Sequence, residues 1–559
     1  MKQKVEDFIK KIKENKNAII VIDIAIVLII SLSFFLILFK KNGMFYCMND
    51  DIAMRSIVSG VYLGGEQSTY MIFSGFPVSF ILMALYKITI KIDWYGLLLV
   101  GSMFFYLSYF IYSVIKEKEK ISEKIFYTCG ILFLVSMLLG TFLVDITFTV
   151  VASFVATCSL LLYILPYDKK RNIVMASGIL ISYGIRAKAC LMILAFFIPV
   201  FIYKNIKSKE GLKKDFILGV KIGIVLLICI IIQKSMMNNA SWKQYLAYNE
   251  YRSLFYDYYF TSVLNLPEDE KKQLFHDAGF SDKEMELLCE YGAIGFYEDI
   301  PSKMEGLIEQ CKAHGLTTGG NYMASYKYFL KNTELVKPYF ITLLILVYYA
   351  LRTKERKTKI PTMLLLIIFQ FAVLSYLVYQ GRLPDRVVIP LFASFISMNI
   401  AILLNEDELK RISSKILNYD KILTIIIAGI LLVNSIESIE SSKALRDESE
   451  LANETLKYFA ENPDNFYIYD RNSLETIHLR TRYRANNYLN MSGWSVFSPL
   501  HSEKLNKYGA KTVKDVLLEP NVYLVIPFSN ADKYKVIYDD VNVETVDVIN
   551  GNYVYKFSK

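Results

Sequence analysis

Histidine and tryptophan are scarce in this chain, and its cysteines form no recognisable motif. The 559 residues include four histidines and three tryptophans, all widely separated, and the seven cysteines lack the spacing of metal ligands. This pattern argues against a zinc site. The chain also lacks an internal repeat and any basic segment interleaved with aromatic residues, so nucleic acid is not an expected partner.

The sequence is instead rich in long apolar segments. Hydrophobic residues make up 54% of the chain, and a helix needs roughly 20 apolar residues to cross a bilayer. The first such segment, Ala18–Leu38, is too long for the core of a signal peptide and no cleavage site follows it, so we expect a retained first span. The composition therefore predicts a polytopic α-helical membrane protein.

Lysine and arginine cluster beside the apolar segments, and these clusters predict the orientation. Short loops rich in the two residues stay in the cytoplasm. One threading path puts every cluster on that side: Lys2–Lys16, Lys116–Lys124, Lys169–Arg171, Lys204–Lys214, Arg352–Lys359 and Lys410–Lys421. The clusters account for most of the net charge of +9. The N-terminus is then predicted inside, with the acidic pair Asp50-Asp51 outside.

On this path residues 39–93 lie outside, although they include the apolar stretch Tyr70–Ile90. If that stretch crossed, every later basic loop would invert, so we predict a helix along the outer interface, broken at its start by Gly75-Phe76-Pro77. The other predicted spans bring the total to about eleven. They are Trp94–Ile115, Ile125–Val144, Ile146–Leu165, the broken pair Ile173–Ile185 and Ala189–Tyr203, Phe216–Met236, Pro338–Leu351, Ile360–Tyr379, Val387–Leu404 and Ile422–Ile436.

Two outer regions are long enough to fold. Residues 237–337 are polar and tyrosine-rich, and Ser281–Glu284 is typical of a capping box at a helix start. We assign them to a transmembrane domain of residues 1–436. Residues 437–559 are predicted to form a small α/β domain outside the membrane. Its elements are a helix near Glu448–Glu461 and strand-like runs at Phe466–Tyr469, Val522–Phe528 and Val543–Phe557.

Asp50 and Asp51 place two adjacent carboxylates just beyond the first span. Such a pair costs repulsion and desolvation unless a cation or a reacting group uses it. It suits a general base for a hydroxyl group, or a ligand pair for a divalent cation such as Mg²⁺ or Mn²⁺; a solvated helix cap is the alternative. Asp145, in the turn between the third and fourth spans, either caps the next helix or joins this pair.

Four basic residues are predicted in outer loops, against the usual bias. Arg186 and Lys188 lie at the break between two half-length helices, and Arg382 and Arg386 lie in a short loop. Binding of phosphate or pyrophosphate would explain them, because a guanidinium group holds those oxygens bidentately. Contact with lipid head groups is the alternative. Acids and bases together on one face form a more specific pattern than either set alone.

Aromatic residues of the outer regions supply further candidate substrate contacts. Tyr251 and Arg252 lie in the tyrosine-rich region, and Trp494 lies in the C-terminal domain. Aromatic faces suit sugar rings, but they also anchor proteins at the interface. The segment around Trp494 is equally compatible with a packed turn.

This layout resembles the C-type glycosyltransferase (GT-C) superfamily, in particular bacterial membrane enzymes similar to protein O-mannosyltransferases. The likeness covers most of residues 1–404 and rests on the acidic pair, the interfacial helix, Asp145, the broken helix pair ending in Arg186, and the outer C-terminal domain. Two features depart from it. The mannosyltransferases have Asp-Glu where this chain has Asp-Asp, which leaves the identity of the base open. The Trp-Trp-Asp motif of oligosaccharyltransferases is missing, so an asparagine-glycosylating enzyme is not expected.

The resemblance implies transfer of a sugar from a polyprenyl-phosphate donor, with inversion, to a cell-wall polymer, lipid glycan or protein outside a bacterial plasma membrane. It further implies that Asp50 is the base, that Asp51 assists or holds a metal, and that Arg186 and Arg382 bind the lipid phosphate. A polytopic transporter or lipid-glycan flippase would share the many spans and broken helices. An envelope-assembly protein that kept the fold without the chemistry is a third hypothesis.

Overall fold

The computed structural model describes residues 15–41, 43–207, 209–291, 294–316, 343–344, 346–347, 351, 355–380, 383–403, 421–441, 443–470, 474, 476–479, 481, 485–527, 538 and 541–559. Its helices are α1 (Lys16–Lys41), α2 (Asn49–Ser59), α3 (Phe76–Ile88), α4 (Trp94–Ile115), α5 (Ile121–Leu139), α6 (Phe148–Ile164), α7 (Lys169–Ile185), α8 (Ala187–Leu194), α9 (Phe197–Lys207), α10 (Lys209–Met236), α11 (Ala240–Leu254), α12 (Phe260–Leu264), α13 (Glu268–Asp277), α14 (Asp282–Glu286), α15 (Ile300–Ala313), α16 (Arg356–Tyr379), α17 (Asp385–Leu403), α18 (Lys421–Ser438), α19 (Lys443–Glu461), α20 (Pro499–Asn506) and α21 (Val513–Val516). The strands are β1 (Phe45–Tyr46), β2 (Asp145–Ile146), β3 (Phe466–Tyr469), β4 (Ile477–His478), β5 (Tyr488–Asn490), β6 (Val522–Ile526), β7 (Asn542–Ile549) and β8 (Asn552–Ser558).

Several helices carry enough apolar residues to cross a membrane. Among the described residues, seven helical segments meet this length and composition: α1, α4, α5, α8 continuing into α9, α10, α16 and α17. The architecture is therefore polytopic and helical, as predicted. The finer number of about eleven spans stays a prediction. One of those spans, Pro338–Leu351, lies mostly outside the described residues, and α6 and the apolar part of α18 are shorter helices.

Helix α6 forms the centre of the bundle. Its sequence is apolar all round, as is typical of a buried helix, and every side chain from Phe148 to Tyr163 is buried. Thr147 begins the helix by accepting a hydrogen bond from the Val150 amide at 3.2 Å. Helices α4, α7, α8 and α17 pack around α6. These contacts fix the position of Phe148, the first residue of α6.

Helix α3 is the predicted interfacial segment, and its start is where the Gly-Phe-Pro break predicts it. Its 13 residues span about 20 Å, which is too short to cross a bilayer. The Gly75 amide donates to the Gly184 carbonyl at 2.7 Å, and a Cβ on Gly184 would collide with the Val78 side chain. Two glycines thus let the start of α3 rest directly on the α7–α8 break.

A small three-stranded sheet joins distant parts of the chain. Its order is β2-β1-β4, with β1 parallel to β2 and antiparallel to β4. Phe45 pairs with Asp145 on one side and with His478 on the other. The Leu479 amide also donates to the Met44 carbonyl at 2.9 Å. The C-terminal region is therefore attached to the end of the bundle that carries α2, which we term the site end.

The C-terminal region contains a five-stranded sheet in the order β5-β3-β6-β8-β7, flanked by α19. Strands β5, β3 and β6 run parallel, whereas β8 runs antiparallel to both of its neighbours. The predicted run Val543–Phe557 is a hairpin, because the chain turns at Asn550 and Gly551, both of which have positive φ. An Asn-Gly dipeptide favours this turn and could have predicted it.

Helices α11 to α15 cover the site end and contact the C-terminal region. The predicted capping box is confirmed: the Ser281 hydroxyl accepts from the Glu284 amide, and the Glu284 side chain accepts from the Ser281 amide. The Gly295 amide donates to the Met491 carbonyl at 3.2 Å, and the Val513 amide donates to the Gly295 carbonyl at 2.9 Å. Two outer regions predicted separately thus share one interface.

The opposite end of the bundle carries the described basic clusters, and we term it the basic end. Lys116, after α4, pairs with Asp168, before α7, at 3.0 Å. Lys204 pairs with Asp215 at 3.3 Å, and a buried pair joins Lys124 of α5 to Asp23 of α1. The connections at this end therefore contact one another through ion pairs.

A buried ionic network holds the site end together. Arg55 Nε of α2 lies 2.9 Å from Asp93 Oδ2, which caps α4. Tyr46 and Tyr86 donate their hydroxyl groups to the same carboxylate at 2.8 and 2.7 Å. Asp93 therefore links β1, α2, α3 and α4.

We expect Asp93→Asn to destabilise the protein by about 3 kcal/mol or more, because it leaves the buried Arg55 charge without its partner. Thermal unfolding of purified protein in detergent measures this effect. The control is Glu66→Gln, which removes an exposed partner of Lys507 and should change stability by less than about 1 kcal/mol. Equal losses in the two variants would contradict the role assigned to Asp93.

Candidate functional site

Asp51 is buried more deeply than Asp50, the other member of the acidic pair. It lies in the first turn of α2, and its Oδ1 accepts from the Tyr95 hydroxyl at 2.8 Å and from the Phe148 amide at 3.1 Å. Its Oδ2 is buried and has no hydrogen-bond partner among the described residues. The carboxylate thus joins α2 to the first turns of α4 and α6 and still has one oxygen available.

Asp50 is half-buried, and three guanidinium groups act on it. The positive charges of Arg186, Arg386 and Arg252 favour its ionised form, whereas Asp257 opposes ionisation. Burial is the larger effect and raises the pKa of the Asp50 carboxyl above its usual value. We term Arg186, Arg252 and Arg386 the arginine cluster. Its members come from three separate parts of the chain.

Arg186 is held between aromatic rings. Its guanidinium carbon lies 4.6 Å from the centre of the Phe73 ring and 4.9 Å from that of Phe148. Arg186 has an extended backbone conformation between α7 and α8. The contact of Gly75 with Gly184 brings the segment before α3, which contains Phe73, next to Arg186. Stacking on two rings fixes the plane of the guanidinium group and leaves its edge free to bind an anion.

The other two cluster members approach from different helices. Arg386 lies in the first turn of α17, and its Nη1 is 3.5 Å from Met48 Sδ, just before α2. Arg252 lies in the last turn of α11, and its Nε donates to Asn249 Oδ1 at 2.9 Å. Both act electrostatically on Asp50. The acidic pair predicted in the first outer loop is therefore assembled with bases predicted in three later segments.

Trp494 reaches this site through Phe73. Its ring packs edge-on against Phe73 with the ring centres 5.2 Å apart, and its carbonyl accepts a hydrogen bond from the Tyr245 hydroxyl. Trp494 itself is buried. The buried Trp494 ring supports the aromatic wall behind Arg186.

The structure describes three further predicted site residues, and one of them, Asp145, acts on the Cys47 thiol together with Asp51 and Arg386. Asp145 Oδ1 accepts from the Ser441 hydroxyl at 2.6 Å, so this carboxylate joins the bundle to the C-terminal region. Lys188 is exposed, and the Tyr251 hydroxyl donates to Glu305 at 2.5 Å. Arg382 lies outside the described residues.

The structure adds residues that the sequence did not indicate. Tyr95, Phe73 and Phe148 hold Asp51 and Arg186 in place. Phe73 and Phe148 stand in apolar segments among many other aromatic residues, and nothing in their spacing marks them. Tyr95 offers a weak signal, because a hydroxyl group at the start of an apolar helix needs a hydrogen-bond partner.

The charge of the site favours an anion as its ligand. Burial raises the pKa of Asp51 well above its usual value, and the charge of Asp50 adds to this rise, while the hydrogen bonds from Tyr95 and Phe148 oppose it. Within the described part of the chain, no group of three His, Cys, Asp or Glu side chains is arranged to hold a metal ion. Three guanidinium groups beside two carboxyl groups suit a phosphate group better than a divalent cation.

Comparison with known proteins adds no assignment: no family model matches the chain, and no curated protein matches its sequence.

The raised pKa of Asp51 predicts how stability depends on pH. Because the folded-state pKa of Asp51 lies above its unfolded-state pKa, Asp51 contributes stability that is fully present below the unfolded-state pKa and is lost as the pH rises through the folded-state pKa. Asp51→Asn removes this ionisation while its oxygen can still accept from Tyr95 and Phe148. The melting temperature of the variant minus that of the wild type should therefore increase as the pH rises above about 4, the usual pKa of an aspartate.

The matched control for this measurement is Asp269→Asn, which changes an exposed carboxyl group on α13. Its difference from the wild type should stay constant over the same pH range. A pH-independent difference for Asp51→Asn as well would show that Asp51 has an ordinary pKa and would contradict the raised pKa assigned to it.

Proposed function

We propose that this protein is a membrane glycosyltransferase that takes a sugar from a polyprenyl-phosphate donor and transfers it to an acceptor outside the cytoplasm. One observation carries the proposal: the acidic pair lies beside the arginine cluster, whose Arg186 is stacked on Phe73 and Phe148. A carboxylate that accepts a proton beside a site for phosphate is what this reaction needs. The GT-C resemblance supports the same function.

The arginine cluster would bind the phosphate of the donor. Guanidinium groups bind phosphate oxygens bidentately, and burial between Phe73 and Phe148 strengthens the interaction of Arg186 by excluding water. When the bond between the anomeric carbon and the phosphate oxygen breaks, negative charge develops on the leaving phosphate. Arg186 and Arg386 would stabilise that charge, and Arg382 remains a proposed additional contact.

Asp50 is the better general base of the pair. It is partly exposed and lies next to the cluster, whereas Asp51 is buried and already accepts two hydrogen bonds. In the proposed step Asp50 accepts the proton of the acceptor hydroxyl, and the freed oxygen forms a bond to the anomeric carbon. The lipid phosphate leaves from the opposite face, so the configuration inverts. Asp51 positions the first turn of α2.

The expected location of this chemistry is the outer face of a bacterial plasma membrane. Basic loops prefer the cytoplasm, and the described clusters lie at the end of the bundle opposite Asp50. The C-terminal region lies at the site end, where it would help to bind a cell-wall polymer, lipid glycan or protein acceptor.

Asp50→Asn should lower sugar transfer by about a hundredfold or more, because removal of a general base typically costs 10²–10⁴-fold in rate. The assay follows release of labelled sugar from a panel of polyprenyl-phosphate sugars by purified protein with extracts of cell-envelope acceptors. Asp269→Asn serves as the exposed control and should keep wild-type turnover. Full activity of the Asp50→Asn, Asp51→Asn double variant would overturn the proposal. Absence of both turnover and saturable donor binding in the wild type would favour the transporter or flippase and the envelope-assembly protein.

Arg186→Gln should weaken donor binding by about tenfold or more, because a hydrogen bond to a charged group contributes roughly 1.5–3 kcal/mol. Equilibrium binding of a labelled polyprenyl-phosphate sugar measures the loss. Lys243→Gln removes an equal charge from an exposed position on α11 and should leave the affinity within about twofold of the wild type. An equal loss in both variants would mean that general surface charge, rather than Arg186, attracts the donor.

A further inference from the structure

A large cavity opens at the basic end, away from the acidic pair. Its volume is about 910 Å³, and mainly apolar side chains of α4, α5, α6, α9 and α17 line it. Along α6 the lining includes Phe154, Cys158 and Leu161, which share one face of the helix. A cavity near the upper end of the usual range for ligand sites, within a helix bundle, is large enough for hydrocarbon chains.

The mouth of the cavity is polar, and basic residues predominate there. Lys118, Arg171, Lys204 and Lys214 line it together with Glu117, Asp215 and Glu355. Each acid already has a cationic neighbour: Asp215 pairs with Lys204 at 3.3 Å, Glu117 lies 4.0 Å from Lys116, and Glu355 lies 3.8 Å from Lys359. Among the described residues that line the cavity, four basic and three acidic side chains leave a net charge of +1, at the end of an apolar chamber.

Arg171 is the residue that points to a ligand. It is only 3% exposed and lines the cavity. Its Nη1 donates to the Pro166 carbonyl at 2.5 Å, but its buried Nε has no hydrogen-bond partner among the described residues. A buried charged donor without an acceptor is costly, and an anionic oxygen in the cavity mouth would satisfy it.

We propose that this cavity binds a lipid with an anionic phosphate head group, which places its hydrocarbon chains between α4, α5, α6 and α17 and its phosphate at Arg171. The site is distinct from the arginine cluster, because α7 separates Arg171 from Arg186 by 15 residues, or about 22 Å. The proposal does not depend on the glycosyltransferase function.

Native mass spectrometry of the full-length protein in detergent tests this site. The lipids are phosphatidylglycerol, undecaprenyl phosphate and, as the zwitterionic control, phosphatidylcholine. We expect at least one of the two anionic lipids to bind about tenfold or more tightly than phosphatidylcholine, since a charged hydrogen bond contributes about that factor. The anionic lipid that binds more tightly identifies the source of the phosphate. Equal affinity for all three lipids would overturn the proposal.

Two variants locate the binding. Arg171→Gln should lower the affinity for the preferred anionic lipid about tenfold, whereas Lys170→Gln, an equal charge change at the exposed neighbouring position, should leave it unchanged. Equal effects of the two variants would overturn the proposal.

Gly130→Phe tests the apolar part of the cavity without changing charge. Gly130 lines the cavity, and a Cβ there would meet open space, so a phenylalanine side chain can fill the chamber while the fold persists. All three lipids should then bind more weakly. Undiminished binding in Gly130→Phe would show that the chains lie elsewhere and would also overturn the proposal.

Discussion

The buried Asp51 carboxylate is the interaction on which the site end depends. By accepting from the Tyr95 hydroxyl and the Phe148 amide, it fixes the first turns of α2, α4 and α6 relative to one another. Asp50 takes its position from the same turn, and Phe148 forms part of the wall that holds Arg186. One desolvated acid therefore positions both Asp50, the proposed proton acceptor, and Arg186, a proposed contact of the donor phosphate.

Charge patterning and local signals made much of the architecture predictable. The helical bundle, the break before α3, the capping box at Ser281 and the strand Phe466–Tyr469 follow from short-range rules that act within a few residues. Basic residues near the acidic pair were predicted, because outer loops normally carry few of them and their presence there indicates a function. The predicted topology put these residues on the same side of the membrane as Asp50, but it did not show that they would lie around one carboxyl group.

The remaining features depend on contacts between distant segments, which periodicity does not encode. Phe73 contacts Arg186 because the backbone of Gly75 is hydrogen-bonded to that of Gly184. Asp145 accepts a hydrogen bond from Ser441, a partner nearly 300 positions later, and nothing in the local sequence around Asp145 indicates that contact. The cavity at Arg171 is formed where several helices pack together, and the sequence of each helix alone indicates only a membrane span.

The β2-β1-β4 sheet has a consequence for biogenesis. Strand β1 is synthesised several hundred residues before β4, yet the two strands pair directly. At translation rates of about 5–20 residues per second, the first loop waits on the order of 20–90 s for its partner. Nascent or truncated chains would therefore lack the strand that pairs with β1, so the segment just before Asp50 would complete its sheet only after β4 has been synthesised and folded.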